Sequence, residues 1–556
     1  MSRCEGFPVS ILLICSILFA IAQATHAMAQ QLPDTATVEH KLPLESPPTP
    51  QSVTAATSSN EANCCQIALD WKTIPRVRSF PRTGNFSVPP AGPGYYSLVD
   101  QLRGNYLEGP PKYPYPRFSL MQPSFFDSNN FSYLDDPKNT EVDFFDCLKR
   151  MRFGDNWLFV TGGDFRYRFE NHYNARLTET NNEFDLTRVR TYGDLWYRDD
   201  LRFYAEFIGA WSSPQNLPFL PTDRNDADFL NLFVDLKLAD LNGKPAYIRV
   251  GRQELLFGSQ RMISPLEWGN TRRTFQGVRG FRQTENWDID LFWVQPVIPN
   301  PGILDSVDNN QNFAGVWATR RPQKGHAIDF YYLLRDITAA ATVLGIPLGN
   351  TTRNTVGARY VGNVENFLFD FEGAMQLGSQ SGRNVIAGMA TVGAGYNFKE
   401  APLCPTFWAY YDFASGGNPT SGTTHTFNQH FPFGHFYLGW VDQVGRQNIH
   451  DLNFHLYLYP TKWLTSWLQF HSFWLANKND ALYNAAGLPI RWDPTGRSGS
   501  HVGEELDLVF NFHLTKHLDV LAGYSYLWGG EFLRNTASPT NAVNTSFFFL
   551  QTTYRW

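Results

Sequence analysis

The stretch Asp164-Phe165-Arg166-Tyr167-Arg168-Phe169-Glu170 alternates without interruption between charged and aromatic side chains. Because successive side chains of a β-strand point to opposite faces, the three aromatic residues share one face and the four charged residues share the other. The same alternation recurs in segments of roughly ten residues from about residue 157 onward, for example in residues 230–238, 367–372 and 505–514. This pattern predicts an all-β fold.

The connections between the predicted strands alternate in length. Short turns such as Arg198–Asp200 are followed by long loops such as residues 414–449. This asymmetry, together with an apolar face that is large and aromatic, is typical of outer-membrane barrels and not of soluble sandwiches. We therefore predict a closed antiparallel transmembrane β-barrel of about 18 strands with an irregular N-terminal periplasmic extension. The predicted strands begin near residues 157, 186, 201, 228, 246, 276, 287, 313, 327, 354, 366, 386, 404, 450, 464, 503, 518 and 546.

The first 150 residues depart from this alternation and divide into three zones. Residues 1–29 combine Arg3, an apolar run and the cleavage motif Ala27-Met28-Ala29, which indicates a secretory signal peptide. Residues 30–69 are rich in Pro, Ser and Thr and are predicted to be a flexible linker. Residues 70–150 carry Pro, Tyr and Phe in irregular order, which predicts a periplasmic extension or plug, and residues 151–556 are predicted to form the barrel.

Composition and motif searches exclude several classes of protein. Aromatic residues make up 15% of the chain and the net charge is −6, which argues against a disordered chain and against a strongly basic nucleic-acid binder. Motifs for phosphate binding, zinc hydrolysis and serine nucleophiles are missing from the sequence. We expect neither an enzyme nor a cofactor or metal site, although His425, His430 and His435 recur at intervals of five. A disulfide between the Cys64–Cys65 pair and Cys147 and buried thiols are both open alternatives.

If the apolar faces contact lipid, the polar faces line the lumen, and the first half of the barrel is then rich in arginine. A guanidinium keeps its charge in a confined space and presents a planar fork to carboxylates, so a ladder of arginines would attract an anionic polymer. Ladders of arginine and acidic residues that only stiffen the wall are an equally good interpretation. The alternation gives as candidate pore-lining residues Arg166, Arg168, Arg188, Arg190, Arg202, Arg249, Arg279, Arg359, Asp194 and Asp235.

Two long motifs resemble the alginate export family. They are Val250-Gly-Arg-Gln-Glu-Leu-Leu-Phe-Gly-Ser-Gln-Arg-Met-Ile-Ser-Pro-Leu-Glu-Trp-Gly-Asn-Thr-Arg-Arg-Thr-Phe-Gln-Gly-Val-Arg279 and residues 434–452, and residues 502–507 and 523–526 are similar to the family's closing strands. The resemblance covers roughly residues 157–556. It implies an eighteen-strand outer-membrane barrel with an electropositive, arginine-lined conduit for a polyanionic polysaccharide. It also implies pore or constriction roles for Arg252, Arg261, Arg272 and Arg273, in a loop positioned by Asn270 and Trp268.

The sequence and this resemblance together predict a channel in the bacterial outer membrane for an anionic polysaccharide, an alginate-like polyuronate, or its oligomers. The expected partners are that polysaccharide, outer-membrane lipid, and secretion components of the periplasm or inner membrane, with no nucleic acid. Two alternatives stay open: a general or sugar/anion porin for uptake, and a plugged barrel that acts as a binding or scaffold protein. Because the visible periplasmic turns are short, we expect residues 70–150 to gate the periplasmic mouth.

Overall fold

The structure is a computed structural model that describes residues 93–109, 123–420, 422–537 and 542–556. Eighteen antiparallel strands form a barrel that closes where the first strand pairs with the last. The strands are β1 Trp157–Tyr173, β2 Asn182–Tyr197, β3 Leu201–Ser212, β4 Asn225–Leu241, β5 Lys244–Gln253, β6 Phe275–Gln283, β7 Trp287–Ile298, β8 Gln311–Arg320, β9 Ala327–Ile337, β10 Thr351–Val364, β11 Phe367–Gln380, β12 Arg383–Asn397, β13 Thr406–Ala414, β14 Ile449–Thr461, β15 Leu464–Leu475, β16 His501–His513, β17 Leu518–Gly529 and β18 Thr545–Arg555. The predicted fold class is confirmed, and every predicted strand start lies within four residues of an observed one.

Smaller elements lie between the barrel strands, in the N-terminal extension and in the loops. The α-helices are Leu98–Arg103, Phe125–Ser128, Gly434–Tyr437 and Glu531–Thr536, and the 3-10 turns are Ser132–Asp135, Asp146–Leu148 and Ala175–Leu177. The short strands are Met151–Phe153, Ser306–Val307, Thr342–Val343, Ile346–Pro347, Thr423–Thr424, Leu482–Tyr483 and Pro489–Arg491. No helix in the described ranges is both long and apolar enough to cross a membrane. The predicted signal peptide, the linker and the Cys64–Cys65 pair lie outside the described residues.

The two faces of each strand have opposite chemistry, and the polar face is the inner one. On β1 the side chain of Phe165 is 40% exposed on the outside, whereas Arg166 is 1% exposed on the inside. Outward-facing Phe371 and Leu508 are exposed in the same way, while inward-facing Asp370 is fully buried. An apolar exterior around a polar interior is the arrangement expected of a barrel surrounded by lipid.

The two ends of the barrel differ in the length of their connections. Both the start of β1 and the end of β18 lie at the short-turn end, where the connections include residues 198–200 and 462–463. At the long-loop end, two connections fold back into the barrel: residues 254–274, here called inner loop A, and residues 425–448, here called inner loop B.

A hydrophobic core lies inside the barrel because the two inner loops bring apolar residues there. Met262 and Trp268 of inner loop A pack in one buried cluster with Phe433 and Trp440 of inner loop B. The inward ring of Phe549 on β18 belongs to the same cluster and stacks on Trp440 at 5.4 Å. The barrel therefore has a packed interior where the polar alternation alone suggests an open channel.

Candidate functional site

The predicted barrel-wall arginines all face the lumen, and they lie in ion pairs. Arg190 on β2 places Nε 3.1 Å from Asp164 Oδ1 and Nη1 3.3 Å from Glu206 Oε1. Arg202 on β3 places Nε 2.8 Å from Asp194 Oδ1. The same arrangement holds for Arg249 with Asp235, Arg252 with Asp228, Arg279 with Asp290, and Arg359 with Asp370. A guanidinium whose charge is already matched by a buried carboxylate attracts a passing anion less strongly than an unmatched one.

Three arginines on β1 and β2 hold inner loop A. Arg166 Nη1 donates to the carbonyl of Glu267 at 2.8 Å, and Arg188 Nη2 lies 2.7 Å from the Glu267 carboxylate. Arg168 donates to the carbonyl of Trp268 at 2.7 Å and places its guanidinium 3.8 Å from the centre of that indole ring. These arginines hold the protein's own loop through its carbonyls and the Glu267 carboxylate, while Arg168 also pairs with Glu170 on β1 at 2.6 Å.

Inner loop A spans the lumen because its other residues contact several strands. The Nδ2 of Asn270 lies 3.1 Å from the carbonyls of Thr187 on β2 and Trp211 on β3. Arg261 reaches β11, where its guanidinium lies 2.9 Å from Asp370 and 3.0 Å from Glu372. Arg272 instead joins two parts of the loop itself, since it contacts the carboxylates of Glu254 and Glu267.

Of the twelve predicted arginines, only Arg273 lacks a carboxylate within 4.0 Å among the described residues. Two arginines that the sequence did not single out share this property, Arg335 on β9 and Arg353 on β10. Arg335 and Arg353 are paired directly across neighbouring strands, next to the long loop of residues 338–350. Like charges directly opposite each other destabilise a sheet, and the described residues place no carboxylate within ion-pair distance of this pair.

The partners of these three arginines are neutral. Arg335 donates to Gln311 Oε1 at 2.8 Å and to the carbonyl of His430 at 3.2 Å. Arg353, which is 3% exposed, donates to Gln376 Oε1 at 2.9 Å. Arg353 also donates to the carbonyl of Thr426, and Arg273 donates to the carbonyls of Ser264 and Pro432. Carbonyl and amide oxygens orient a guanidinium but do not neutralise its charge.

This group, here called the arginine cluster (Arg273, Arg335 and Arg353), lies beside an aromatic ring and a buried histidine. The guanidinium carbons of Arg335 and Arg273 lie 4.3 Å and 5.5 Å from the centre of the Phe431 ring. Burial, and next the positive charges of Arg335 and Arg353, lower the pKa of His430 well below its usual value, so this histidine is neutral.

Sequence reasoning missed Arg335 and Arg353 for a structural reason. The predicted start of β10 near residue 354 left Arg353 in the preceding loop, and the cross-strand pairing with Arg335 depends on the register of β9 and β10. The aromatic content of inner loop B, which includes Phe431 and Phe433, was the available signal that this loop is not a solvated one.

The histidines that recur at intervals of five do not converge. His430 bonds to Thr355 at 2.7 Å, whereas His435 stacks on Trp268 with ring centres 4.0 Å apart. His425 lies 2.9 Å from the carbonyl of Ile386. Among the described ranges, no group of three or more His, Cys, Asp and Glu residues is arranged to hold a metal ion.

Comparison with known proteins gives one family and several similar structures. A family model described as alginate export matches residues 158–546. Among solved structures, Pseudomonas aeruginosa OccK8 (OprE) aligns with a TM-score of 0.49 at 10% identity, over 72% of this chain and 98% of that chain. Pseudomonas aeruginosa OpdQ aligns with a TM-score of 0.48 at 11% identity, over 72% and 97% of the two chains. No curated protein matches the chain.

Proposed function

The chain belongs to the alginate export family, and from this premise we propose that it passes an anionic, alginate-like polyuronate or its oligomers across the bacterial outer membrane. The protein is an outer-membrane barrel and a transport channel. That the transported molecule is anionic is our inference. It is supported by the charges of the lumen.

The arginine cluster is the observation that supports an anionic cargo. Arg335 and Arg353 face each other across two strands, and neither has a carboxylate within ion-pair distance in the part of the chain that the structure describes. A carboxylate that enters between them would accept charge-assisted hydrogen bonds, each worth about 1.5–3 kcal/mol. A polyuronate carries one carboxylate on every sugar, so it can renew this contact as it moves.

The matched ion pairs of the wall have a different role in this proposal. Arg190 with Asp164 and Arg249 with Asp235 keep the wall rigid and close to neutral. A lumen with strong attraction along its whole length would hold a polyanion too tightly for release, because conduction requires binding that is weak enough to leave. Confining the unmatched arginines to a cluster near the long-loop end, as in the part of the lumen that the structure describes, avoids that outcome.

The proposal is tested by binding and by conduction. Oligo-alginate is titrated into the refolded protein by calorimetry, and single-channel currents are recorded in a planar bilayer with a salt gradient. We expect binding, anion selectivity and block by the oligomer. Replacing Arg335 and Arg353 together by glutamine should weaken binding by about tenfold or more, since charge-assisted bonds are lost. Arg320→Gln is the matched control, because Arg320 is exposed at the short-turn end of β8.

The alternatives give different results. A conducting pore with neither anion selectivity nor oligomer block favours the general or sugar/anion porin for uptake. Absence of both binding and current favours the plugged barrel that acts as a scaffold. Equal binding by the double glutamine variant and the wild type would remove the arginine cluster as the recognition site.

A further inference from the structure

A segment of the N-terminal extension, residues 124–134, lies inside the lumen at the short-turn end. Its Phe126 is 1% exposed. The Phe126 ring packs edge-on against the inward-facing rings of Tyr204 and Phe233, with centres 5.5 Å and 5.2 Å apart. The guanidinium carbon of Arg249 lies 4.5 Å from the centre of the same ring. Phe126 of the N-terminal extension thus occupies a pocket formed by inward-facing residues of the barrel wall.

Polar contacts fix the same segment to the wall. Arg202 donates to the backbone carbonyl of the buried phenylalanine at 2.9 Å. Asn129 donates its Nδ2 to Asp194 Oδ2 at 2.5 Å. The guanidinium carbon of Arg190 lies 4.2 Å from the centre of the Phe125 ring. The segment therefore uses the aromatic faces and hydrogen-bonding groups of three lumenal arginines and one lumenal aspartate.

The chain on both sides of the segment is attached to the rim of the barrel. Before it, the backbone of the Leu98–Arg103 helix donates to the carbonyl of Leu514 in a short turn. After it, Asp143 lies 2.7 Å from His517 of the same turn, and the strand Met151–Phe153 pairs with β1. Because both flanks are held independently, the segment can leave its groove without the extension leaving the barrel.

We propose that residues 124–134 are a tethered plug that blocks the lumen at the periplasmic mouth over strands β1 to β5. The plug is held in one local cluster by Phe125, Phe126 and Phe131 and by two hydrogen bonds to the wall. Such a local set of contacts opens at a lower free energy than the barrel unfolds. Access to the lower lumen from the periplasm then requires the plug to leave. This inference concerns access and holds whatever the cargo is.

The test measures the access of a water-soluble reagent to the wall beneath the plug. Val160 is an inward residue near the start of β1, 3% exposed and packed in one cluster with Phe126. A Val160→Cys substitution, made in a Cys147→Ser background, is reacted with an anionic, membrane-impermeant thiol reagent. Mass spectrometry measures the rate of labelling at residue 160.

Two variants loosen the plug without changing the barrel wall. The double substitution Phe125→Ala and Phe126→Ala removes the rings of these two residues. Phe126→Lys places an ammonium against the guanidinium groups of Arg202 and Arg249. The matched control is Phe144→Ala, because Phe144 belongs to the same extension and is 86% exposed. Heat-modifiable electrophoretic migration shows which variants are folded. If one plug variant does not fold, the labelling rate of the other one tests the proposal.

We expect labelling at residue 160 to be about tenfold or more faster in the plug variants than in the parent and in Phe144→Ala, because shielding of the site depends on docking. Labelling rates that are equal in the parent, the control and a folded plug variant would overturn the proposal. So would a parent thiol that reacts as fast as a thiol placed at Leu102, which is 77% exposed on the rim.

Discussion

Replacing Glu267 with glutamine should destabilise the barrel, because the carboxylate of Glu267 is shared by three buried arginines. It lies 2.7 Å from Arg188 and 3.5 Å from Arg166, and it also contacts Arg272. Glutamine keeps the size and one oxygen acceptor but removes the charge. The substitution therefore tests whether these arginines depend on inner loop A for their neutralisation.

The size of the destabilisation depends on the carboxylates that remain near the three arginines. Removing one partner of a buried ion pair costs about 3–5 kcal/mol. Arg188 keeps Asp164 at 3.6 Å and Arg272 keeps Glu254, whereas Arg166 keeps only neutral acceptors within ion-pair distance among the described residues. We therefore expect the lower end of the range, about 3 kcal/mol, which is roughly a 150-fold change in the unfolding equilibrium.

The assay is urea unfolding of the refolded protein in phospholipid vesicles, followed by tryptophan fluorescence and electrophoretic migration. Glu285→Gln is the matched control, since the Glu285 side chain is 87% exposed and lies 3.9 Å from Lys244. Exposed pairs of this kind contribute between about 0 and 1 kcal/mol. Free energies of unfolding that agree within about 0.5 kcal/mol for the two variants would refute the reasoning, because the arginines would then need no loop carboxylate.

Two further predictions concern the rim and the wall. Burial alone raises the pKa of Asp143, but hydrogen bonds from the lysine and histidine of the 514–517 turn lower it to about 2 from the ordinary 3.8. The ionised Asp143 therefore stabilises the extension above pH 3.8, and this stabilisation is lost as the pH falls through 2. Pepsin cleavage of the extension should rise across this window in the wild type. In Asp143→Asn the cleavage should lose this pH dependence. Gly395→Ala should lower the free energy of unfolding in urea by about 1–3 kcal/mol, since the new Cβ would lie 2.5 Å from the Trp408 ring. Gly373→Ala should lower it much less, because its Cβ would meet its nearest atom at 3.8 Å. Equal losses in the two variants would contradict the packing argument.

The strands and their inward and outward faces are determined by the sequence itself. The alternation in residues 164–170 and in its counterparts needs only neighbouring residues to be read, because the side-chain period of a strand is local. The lengths of the connections then distinguish the two ends of the barrel, and the long motif of residues 250–279 identifies the family.

The extension is only partly readable from the sequence. The irregular order of Pro, Tyr and Phe distinguishes residues 70–150 from the barrel strands. The order of these residues does not show where the short helix Leu98–Arg103 and the 3-10 turn Asp146–Leu148 form. No local pattern indicated that Phe126 would lie in the lumen, because its partners are wall residues more than seventy positions away.

The state of charge of the lumen is decided by the tertiary structure alone. Arg261 meets its carboxylates on β11, about a hundred positions away, and only the closed barrel brings them together. The strand register places Arg335 opposite Arg353, and neither has a carboxylate within ion-pair distance among the described residues. A sequence shows which side chains face inward, since that depends on adjacent residues. It does not show which inward charges are matched, since pairing depends on strand register, barrel closure and loops that fold back into the lumen.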